Sequence, residues 1–500
     1  MAREQEIIKE RLKKIQELKE KGIEVYKYSF DKKDSADDLQ KEYVKLKNGQ
    51  ATKNKAKIAG RVMIVRELGK INFIKLQDSS GKIQIILQQD KTPEKIIDFF
   101  KKYIDAGDFI GIEGTIMRTE RGELSILAEQ IEILSKALLP LPEKWHGLQD
   151  KEERYRKRYL DLIMNPEVKK VFETRQKIID AIREFLKENG FVEADTPILQ
   201  PLYGGAAAKP FKTELNALKM PLYLRISNEL YLKRLIIGGM EKIYEFSKDF
   251  RNEGIDATHN PEFLQIEIYQ AYADYEEMMK LCEEIYKYVA KKILGKTSIE
   301  YQGKKIDLGK WQKISMLGAI KKYVKIDVEK MSDTELIKFA EKNEVKLKSK
   351  KRGLVIASIF EHFCEEHLVQ PTFVYDYPEE TTPLCKEKRN YKGKTKLVER
   401  FEAYINCWEM GNAYSELNNP FIQGRLLEEQ AKELRAGDEE ANPYDKDFVE
   451  AIEQGMPPTG GIGLGIDRMI MLLTNQPSIR DVILFPFMKI EEENKKIEEK

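Results

Sequence analysis

The chain has 500 residues, of which 41% are hydrophobic and 34% are charged, so it is long enough for several domains with large cores. Its 86 Lys and Arg residues nearly balance its 85 Asp and Glu residues, which excludes a uniformly basic packaging protein and a uniformly acidic disordered chain. We expect no membrane span and no secretory signal, because no apolar run approaches about 20 residues and the N-terminus lacks an apolar core.

Residues 2–21 are predicted to form one amphipathic helix, followed by a basic stretch at 41–60. The apolar face of the helix consists of Ile7, Ile8, Leu12, Ile15 and Leu18. The opposite face carries Lys9, Arg11, Lys13, Lys14, Lys19 and Lys21. Such a face is most often solvated, and the alternative is a helix that lies along a polyanion.

Five short strand-like runs follow, with a helical stretch at 93–105 between the third and the fourth. The runs cover residues 57–68, 72–78, 82–88, 108–119 and 123–134. Their number and order favour a five-stranded OB-fold β-barrel, which presents aromatic and polar groups to unstacked bases. A barrel that serves only as a spacer is the alternative.

The remainder of the chain predicts a large α+β domain. Pro140 and Pro142 break the strand pattern, and a long helical pattern at 167–189 then precedes several strand candidates. The strand candidates are 222–226, 242–249, 263–271 and 399–410. We therefore expect a helix and basic lead-in at 1–56, a barrel domain at 57–138, a linker at 139–164, a catalytic domain at 165–490 and a charged tail at 491–500.

The sharpest motif occupies residues 250–263 and reads FRNEG followed by HNPEF. Arg251 can bind a phosphate or a carboxylate through its planar set of donors. Glu253, two residues later, is expected to point the same way on a strand and to accept from an amine. Phe263 has the shape to lie under a purine. The alternative is a charged hairpin with a surface ion pair of little energetic value.

A second motif, GGIGLGIDR at 460–468, alternates glycines and ends in Arg468. Glycines at every second position let a strand approach a ligand closely, and Arg468 is expected to open the following helix. A guanidinium at that place suits an adenine ring. The spacing differs from the dinucleotide-binding fingerprint, and a glycine strand that only accommodates helix packing is the alternative.

Three acids, Glu402, Glu409 and Glu416, recur seven residues apart. Because seven is odd, one unbroken strand would put consecutive acids on opposite faces, and Gly411-Asn412 suggests a bend between the last two. Convergent carboxylates would offer oxygen ligands for Mg²⁺ beside nucleotide phosphates, or a counter-charge for a cationic substrate. Unconnected surface acids are the alternative.

Taken in order with the helix–strand segment at 187–199, these motifs resemble the signature motifs of class II aminoacyl-tRNA synthetases. The segment before Pro197 resembles the first, dimer-forming motif, and an N-terminal barrel is similar to the subclass for aspartate, asparagine or lysine. The resemblance implies an OB-fold barrel followed by a catalytic domain with an antiparallel sheet flanked by helices, in a cytoplasmic homodimer. The cysteines, which form no CxxC pair, agree with a reducing compartment.

Several stretches resemble the lysyl-tRNA synthetase family in particular, and the likeness covers about residues 2–488. They are residues 145–150, 158–162, 228–235, 251–263, 411–418 and 479–487. One position departs from the pattern, since Lys209 stands where an arginine is expected, which leaves the role of residue 209 open.

The resemblance implies that L-lysine and ATP react to form lysyl-adenylate and that lysine then passes to tRNA(Lys). It also implies Mg²⁺ as the cofactor, with more than one ion per subunit. Arg251 is the expected catalytic residue, holding the lysine carboxylate and the α-phosphate. The implied lysine contacts are Arg251, Gly205, Glu229, Glu267, Tyr269, Asn412, Tyr414 and Glu416. The implied ATP contacts are Arg251, Glu253, His259, Asn260, Phe263 and Arg468. Glu402 and Glu409 are the implied metal ligands, and Phe73, Gln84 and Glu123 the implied anticodon contacts.

Three alternatives stay open on the residues alone. An aspartyl- or asparaginyl-tRNA synthetase would need a cation where this sequence has acids. A ligase that attaches lysine to a protein would resemble relatives that lack the barrel. A non-catalytic tRNA-binding paralogue would be expected to have lost residues such as Arg251 and Arg468, which are intact here.

Overall fold

The computed structural model describes residues 2–142, 148, 150–347, 349–438 and 440–489. Contacts divide the chain into two compact units, residues 1–149 and 150–500. The expected charged tail at 491–500 and most of the 145–150 motif lie outside the described residues. No helix in the described part combines the length and the apolar character that crossing a membrane requires.

The first unit contains a closed five-stranded barrel with the strand order β1-β2-β3-β5-β4, which confirms the predicted OB-fold. β3 and β5 pair in parallel, and the other pairs are antiparallel. The elements of this unit are α1 (Ala2–Glu20), α2 (Ala36–Glu42), β1 (Ala51–Leu68), β2 (Ile71–Gln77), β3 (Lys82–Gln88), α3 (Glu94–Tyr103), β4 (Phe109–Arg118) and β5 (Leu124–Ser135).

The long first strand closes the barrel. Residues 61–68 of β1 pair with β2, whereas residues 51–61 pair with β4. A register shift between Val62 and Ile64 bends the strand, so that its two halves can pair with different neighbours, β2 and β4. Alternate inward positions fill the interior with β-branched side chains that water does not reach. Among them are Ile58, Ile74, Ile85, Ile112 and Ile126.

Helix α1 forms as predicted, but one side of it differs from the expectation. Ile15 and Leu18 are buried in the barrel core, as expected from the apolar face. Leu12 is 48% exposed, whereas Arg11 is only 6% exposed, so the assignment of Arg11 to the solvated face is wrong. Its guanidinium donates to three loop carbonyl oxygens at 2.8–3.0 Å, which compensates for its burial.

The second unit is built on an eight-stranded sheet with the order β14-β15-β16-β17-β18-β11-β10-β6. Its strands pair antiparallel except for β14–β15 and β10–β6. Its helices are α4 (Lys151–Arg156), α5 (Arg158–Met164), α6 (Pro166–Glu188), α7 (Glu229–Ile237), α8 (Tyr275–Leu294), α9 (Met316–Tyr323), α10 (Asp333–Lys342), α11 (Arg352–Phe363), α12 (Pro420–Arg435), α13 (Lys446–Glu453), α14 (Ile466–Leu473) and α15 (Ile479–Val482).

The strands of this unit form the large sheet and two small ones, β12–β13 and β7–β9–β8. The strands are β6 (Val192–Glu193), β7 (Leu199–Gln200), β8 (Lys212–Leu215), β9 (Met220–Leu224), β10 (Lys242–Phe250), β11 (Glu262–Ala271), β12 (Ser298–Tyr301), β13 (Lys304–Asp307), β14 (Gln312–Ser315), β15 (Thr372–Pro378), β16 (Leu397–Ile405), β17 (Trp408–Ser415) and β18 (Thr459–Gly465). The antiparallel sheet flanked by helices agrees with the predicted class II architecture.

Helices α6 and α8 cover one face of the large sheet. Ile182 of α6 and Ile285 of α8 share a core with Ile266, Ile268 and Leu464 of the central strands. Because side chains alternate along a strand, the residues between these positions point to the opposite face. That opposite face carries the candidate site.

Two short helices occupy residues 150–164, the second half of the predicted linker. Arg158 is 1% exposed and donates to Asp161 Oδ2 at 2.7 Å. It also donates to the carbonyl oxygen of Leu484 at 2.9 Å, so this segment packs within the second unit. The precise domain boundaries stay a prediction.

The predicted single strand at 399–410 is wrong, because the chain turns back within it. Asn406 and Cys407 have φ angles of 55° and 64° and connect β16 to β17 as a hairpin. The bend expected at Gly411-Asn412 is also wrong, since both residues lie inside β17. The turn places Glu402 on β16 and Glu409 on β17. The two side chains can therefore lie on one side of the sheet, although a spacing of seven would put them on opposite faces of a single strand.

Candidate functional site

Glycines of β18 form the floor of a trough on the open face of the sheet. The strand register gives two cross-strand rows, Tyr269–Gly461–Tyr414 and Glu267–Gly463–Asn412. A Cβ atom on Gly463 would lie 2.5 Å from Glu267 Oε1, so only glycine leaves room for that carboxyl group. The alternating glycines therefore provide space between acidic and aromatic walls, as the motif predicted.

A cavity of about 670 Å³ extends over this trough. The residues that line it include every residue predicted for lysine, ATP or metal binding. They are Gly205, Glu229, Arg251, Glu253, His259, Asn260, Phe263, Glu267, Tyr269, Glu402, Glu409, Asn412, Tyr414, Glu416 and Arg468. Residues from separate parts of the second unit thus meet around one space, although their individual roles stay predictions.

Buried hydrogen bonds hold the start of α7, where Glu229 is the first helical residue. Asn228 Nδ2 donates to Glu245 Oε2 at 2.8 Å, and Arg225 Nη1 donates to Glu245 Oε1 at 2.6 Å. The hydroxyl of Thr196, in the first motif, donates to the same carboxylate at 2.7 Å. The first motif therefore supports the wall that carries Glu229.

Gly205 approaches the start of α7 from a neighbouring loop. Its φ angle of +88° lies in the region that favours glycine, and a Cβ there would lie 3.1 Å from Glu229 Cβ. Ser227 Oγ accepts a hydrogen bond from the backbone N–H of Glu229 at 3.1 Å. This close approach places the loop backbone beside the Glu229 side chain.

Lys233 joins two of the predicted lysine-binding acids. Its Nζ lies 2.5 Å from Glu229 Oε1 and 2.5 Å from Glu416 Oε2. Burial opposes its charge, yet the two carboxylates raise the pKa of Lys233 above its ordinary value. Burial raises the pKa of Glu416 to about 8, and Lys233 counteracts that rise. Within the described part of the chain, Glu416 Oε1 has no hydrogen-bond partner.

Glu267 lies on β11, two residues before Tyr269, and adds a further acid to that wall. Gln265 Nε2 donates to its Oε1 and the Tyr269 hydroxyl donates to its Oε2, each at 3.2 Å. Burial and the carboxylates of Glu229 and Asp249 raise the pKa of Glu267 well above its ordinary value. Carboxyl groups gathered in this way favour the entry of a cation, because a positive charge stabilises their ionised forms.

Arg251 and Glu253 lie beyond the end of β10, so the prediction that they share one face of a strand is wrong. The guanidinium carbon of Arg251 lies 5.1 Å from the centroid of the Phe263 ring, which is a cation–π contact. Its Nε–H has no hydrogen-bond partner among the residues that the structure describes. Arg251 therefore presents donors next to an aromatic ring on the cavity wall.

Arg468, in the first turn of α14, contacts His259 across the cavity wall. Its Nη2 donates to His259 Nε2 at 2.9 Å. Because a guanidinium only donates, His259 Nε2 accepts and its proton is on Nδ1, which lies 2.8 Å from Asp256 Oδ2. Two residues predicted to bind ATP, from different motifs, are thus in direct contact.

A second polar network surrounds Glu402. Arg400 Nη2 donates to Glu402 Oε1 at 2.5 Å, and the hydroxyls of Tyr377 and Tyr404 donate to Oε2 at 2.8 and 2.7 Å. Arg400 Nε also donates to Asn412 Oδ1 at 3.0 Å. The network connects the predicted metal ligand with the predicted lysine pocket.

Glu402 and Glu409 are carboxylates on the cavity wall, the ligand type that a magnesium ion arriving with a nucleotide would require. Both line the cavity, and β16 and β17 bring them to the same side of it. The described residues contain no cluster of three or more His, Cys, Asp or Glu side chains that would form a complete cage. Mg²⁺ is commonly held by one or two carboxylates together with substrate phosphates, so this pair suits that mode of binding.

The predicted anticodon contacts gather on one outer face of the barrel in the first unit. Phe73 and Lys75, two residues apart on β2, share its outward face, and Lys75 lies opposite Gln84 of β3. Gln84 Nε2 donates to Ser125 Oγ at 2.9 Å, and Lys75 Nζ lies 2.5 Å from Glu123 Oε1. The result is a partly exposed patch with one aromatic ring and several polar groups, the combination that unstacked bases favour.

Sequence reasoning missed Lys233, Arg400, Tyr377 and Tyr404. Lys233 follows Glu229 by four residues on a helix, a spacing that predicts the Glu229 contact but not the contact with Glu416. Arg400 precedes Glu402 by two on one strand, which predicts a common face. Tyr404 follows Glu402 by two on the same strand, so the same reasoning applies to it. No local signal identifies Tyr377, because only the pairing of β15 with β16 brings it near Glu402.

Comparisons with known proteins agree with this arrangement. The family described as class II tRNA synthetases (D, K and N) matches residues 150–489, and an OB-fold nucleic acid binding domain matches residues 56–134. The chain is 46% identical to a lysine–tRNA ligase of Methanoculleus marisnigri, over 96% of this chain and 94% of the relative. The lysine–tRNA ligase of Moorella thermoacetica is 48% identical over 98% of this chain and 99% of the relative.

A lysine–tRNA ligase of Pelotomaculum thermopropionicum is 49% identical over 97% of this chain and 95% of its own length. Such identity over nearly complete chains covers the barrel, the three motifs and the acidic segment together. The chain therefore belongs to the class II tRNA synthetases of the aspartate, lysine and asparagine group, and within that group to the lysine–tRNA ligase family.

Proposed function

We propose that the chain activates L-lysine with ATP to form lysyl-adenylate and pyrophosphate, and then transfers lysine to the 3′ end of tRNA(Lys). The observation that carries this proposal is the acidic pocket formed by Glu229, Glu267 and Glu416, with Tyr269 and Tyr414 beside it. A buried ammonium group requires anionic partners, and these walls supply them. An aspartate side chain would meet like charges in the same place.

The two ends of lysine require different carboxylates. Glu229 and Gly205 are proposed to bind the α-ammonium group, because they lie together at the start of α7. Glu416 is proposed to bind the side-chain ammonium group, since it is completely buried and one of its oxygen atoms lacks a partner in the described residues. Tyr269 and Glu267 would complete that end of the pocket.

Arg251 is proposed to be the catalytic residue of the first step. In this step the lysine carboxylate oxygen attacks the α-phosphorus of ATP, and the bond to the pyrophosphate leaving group breaks. Negative charge increases on the phosphoryl oxygens, and a fixed guanidinium on the cavity wall stabilises that charge. The chemistry needs no nucleophilic side chain, because the two reactants supply both reacting atoms.

ATP is proposed to lie between Phe263 and Arg468, with Glu253, His259 and Asn260 beside it. The cation–π contact of Arg251 with Phe263 and the contact of Arg468 with His259 support a stacked adenine at this wall. Glu402 and Glu409 would hold Mg²⁺, which neutralises phosphate charge when it is bound. More than one ion per subunit stays a prediction.

In the second step, a hydroxyl group of the terminal ribose of tRNA attacks the lysyl carbonyl carbon and AMP departs. The barrel patch at Phe73, Gln84 and Glu123 is proposed to bind the anticodon, with Phe73 stacked on a base. Its mixed aromatic and polar character supports that role. A cytoplasmic location stays a prediction.

A homodimer is proposed to form through the first motif. Val192 on the edge strand β6 is 53% exposed, and Ile198 and Leu199 are 44% and 48% exposed. Exposed apolar side chains on the edge strand β6 and shortly after it in the chain are suited to contact with a second copy of the chain. Light scattering is expected to give twice the 58.3 kDa mass of one chain.

The test of the proposed function is ATP–pyrophosphate exchange with each of the twenty amino acids separately and Mg²⁺ present. We expect exchange with lysine alone. Exchange with aspartate or asparagine would contradict the lysine pocket but keep the family chemistry. Absence of exchange with every amino acid would favour a non-catalytic tRNA-binding role.

A further inference from the structure

Two of the carboxylates proposed to bind a cationic substrate already contact a buried cation. Lys233 is fully buried on α7, and it is not among the residues to which the proposed function gives a role. Its ammonium contacts both Glu229 and Glu416. A resident positive charge between these two acids needs an explanation, because it would repel the substrate if it merely occupied the same space.

The geometry shows that one nitrogen atom connects the two ends of the pocket. Each contact is 2.5 Å, so the two ligated oxygen atoms lie no farther apart than twice that distance. Glu229 begins α7, whereas Glu416 follows β17, so the ammonium connects two separate walls. Gly461 faces Glu416 from the third wall and restricts its movement.

The charge of Lys233 affects the protonation of the acids that it bridges. Two buried carboxylates close together repel each other, and one would hold a proton at neutral pH without a cation between them. A protonated carboxyl group no longer attracts an ammonium group. The charge of Lys233 opposes the rise that burial causes in the pKa of Glu416, and so favours the ionised form that attracts an ammonium group.

We propose that Lys233 is a positioning and specificity-determining residue, whose ammonium bridges Glu229 and Glu416 and sets the spacing of the carboxylates that bind the two ammonium groups of lysine. The inference rests on the proposed lysine-activating function. Carboxylates fixed in place discriminate between diamino acids by length, so ornithine, whose two ammonium groups lie closer together than those of lysine, is expected to fit less well than lysine.

The main test replaces Lys233 with Met, which keeps the length of the side chain and removes the charge. Lysine-dependent ATP–pyrophosphate exchange is expected to show a lysine KM raised about tenfold or more, with the ATP KM within about twofold of the unmodified value. The ratio of kcat/KM for lysine to that for ornithine is expected to fall about tenfold. A structural defect alone would lower kcat and leave this ratio unchanged.

Lys136 in the barrel unit provides a matched control. It is also fully buried, and its Nζ lies 2.6 Å from Asp105 Oδ2 and 2.6 Å from Asp108 Oδ2. Lys136→Met removes an equivalent buried bridge from the other unit. We expect it to reduce thermal stability without a change in the lysine KM or in the lysine-to-ornithine ratio.

A double-mutant cycle tests whether Lys233 acts through Glu416. In a Glu416→Gln background, Lys233→Met is expected to change the lysine KM by less than about threefold, because its target is already lost. Independent, multiplicative effects of the two substitutions would overturn the proposal. An unchanged lysine KM and an unchanged lysine-to-ornithine ratio in Lys233→Met would also overturn it.

Lys233→Arg answers the question if Lys233→Met does not fold. It keeps the positive charge but carries a longer, planar group, so we expect a folded protein with a reduced lysine-to-ornithine ratio. A lysine-to-ornithine ratio equal to that of the unmodified protein would contradict the proposed role of Lys233 in specificity. If the unmodified protein shows no lysine-dependent exchange, the proposed function fails, and that result is distinct from any failure of the Lys233 variants.

Discussion

Gly461 of β18 and Glu416 at the end of β17 are in such close contact that no larger residue fits at position 461. A Cβ atom there would lie 2.0 Å from Glu416 Oε1 and 2.5 Å from Cε1 of Tyr269. Although Gly461 follows Glu416 by 45 residues in the chain, the glycine motif and the acidic segment therefore form one structural feature. The floor of the trough determines where the buried carboxylate can be.

Gly461→Ala is predicted to weaken lysine binding more than ATP binding. The added methyl group must displace Glu416 or Tyr269, and overpacking of this kind costs about 1–3 kcal/mol. We expect the lysine KM in ATP–pyrophosphate exchange to rise about tenfold or more, with the ATP KM little changed. Gly424→Ala is the control, because a Cβ at that helical position has only ordinary contacts at 3.6 and 3.8 Å. An unchanged lysine KM in Gly461→Ala would show that Glu416 is not part of the pocket.

Local patterns were sufficient to predict the five strands of the barrel and the long helix α6. Apolar and polar residues alternate clearly along the barrel strands, and turn residues separate one strand from the next. The long helix at Pro166–Glu188 has a strong apolar repeat. The hairpin of β16 and β17 was missed because its turn uses Asn406 and Cys407 with positive φ, not a glycine. Turn chemistry of that kind gives a weak signal in a single sequence.

Arg251→Ala is predicted to abolish adenylate formation while the protein stays folded. The guanidinium lies on the cavity wall against Phe263, and its loss removes charge stabilisation worth about 3–4 kcal/mol or more. Lysine-dependent exchange is expected to fall at least about 100-fold, and the thermal unfolding midpoint is expected to change little. Arg425→Ala serves as a control, since Arg425 is 55% exposed in a surface pair with Glu429. Substantial residual exchange in Arg251→Ala would remove Arg251 from the catalytic role.

The residues of the site could be predicted individually, but their partners could not. Glu416 and Glu229 were expected in one pocket, whereas the Lys233 bridge depends on how α7 meets β17 in space. Arg11 shows the same limit, because its helix face alone indicates solvent while its carbonyl partners come from distant loops. Tertiary contacts override the helical pattern at such positions.

Glu416→Gln is predicted to weaken lysine binding about 10- to 100-fold and to remove the pH dependence of the lysine KM. Burial raises the pKa of Glu416 to about 8, above the 4.5 of an unperturbed Glu, so the lysine-free folded state holds a proton that the unfolded chain loses. The contribution of this proton to the free energy of unfolding is fully present below about pH 4.5 and is lost as the pH rises through about 8. Lysine binds the ionised carboxylate, so its affinity is expected to increase as the pH rises towards 8.

The measurement is the lysine KM between pH 6.5 and 8.5 for the unmodified protein and for Glu416→Gln, with the ATP KM as the internal reference. The unmodified protein is expected to lose lysine affinity towards low pH by up to about tenfold per pH unit, because one proton must leave. Parallel pH profiles for the two proteins would assign the titration to another group. Equal effects of Glu416→Gln on lysine and ATP would remove Glu416 from the side-chain pocket.

Phe73→Ala is predicted to weaken charging of tRNA(Lys) and to leave lysyl-adenylate formation unchanged. The ring lies on the outer face of β2, two residues from Lys75, which is opposite Gln84 of β3. Stacking of a base on an aromatic ring contributes about 1–3 kcal/mol. The KM for tRNA in aminoacylation is therefore expected to rise about 5- to 100-fold, while lysine-dependent exchange without tRNA stays the same. Phe109→Ala is the control, because Phe109 is another partly exposed aromatic of the same barrel, whose ring centroid lies 4.2 Å from the Arg61 guanidinium carbon. If Phe109→Ala impairs charging equally, the effect reflects barrel stability, and if exchange falls together with charging, the barrel does not act as a separate reader of the tRNA.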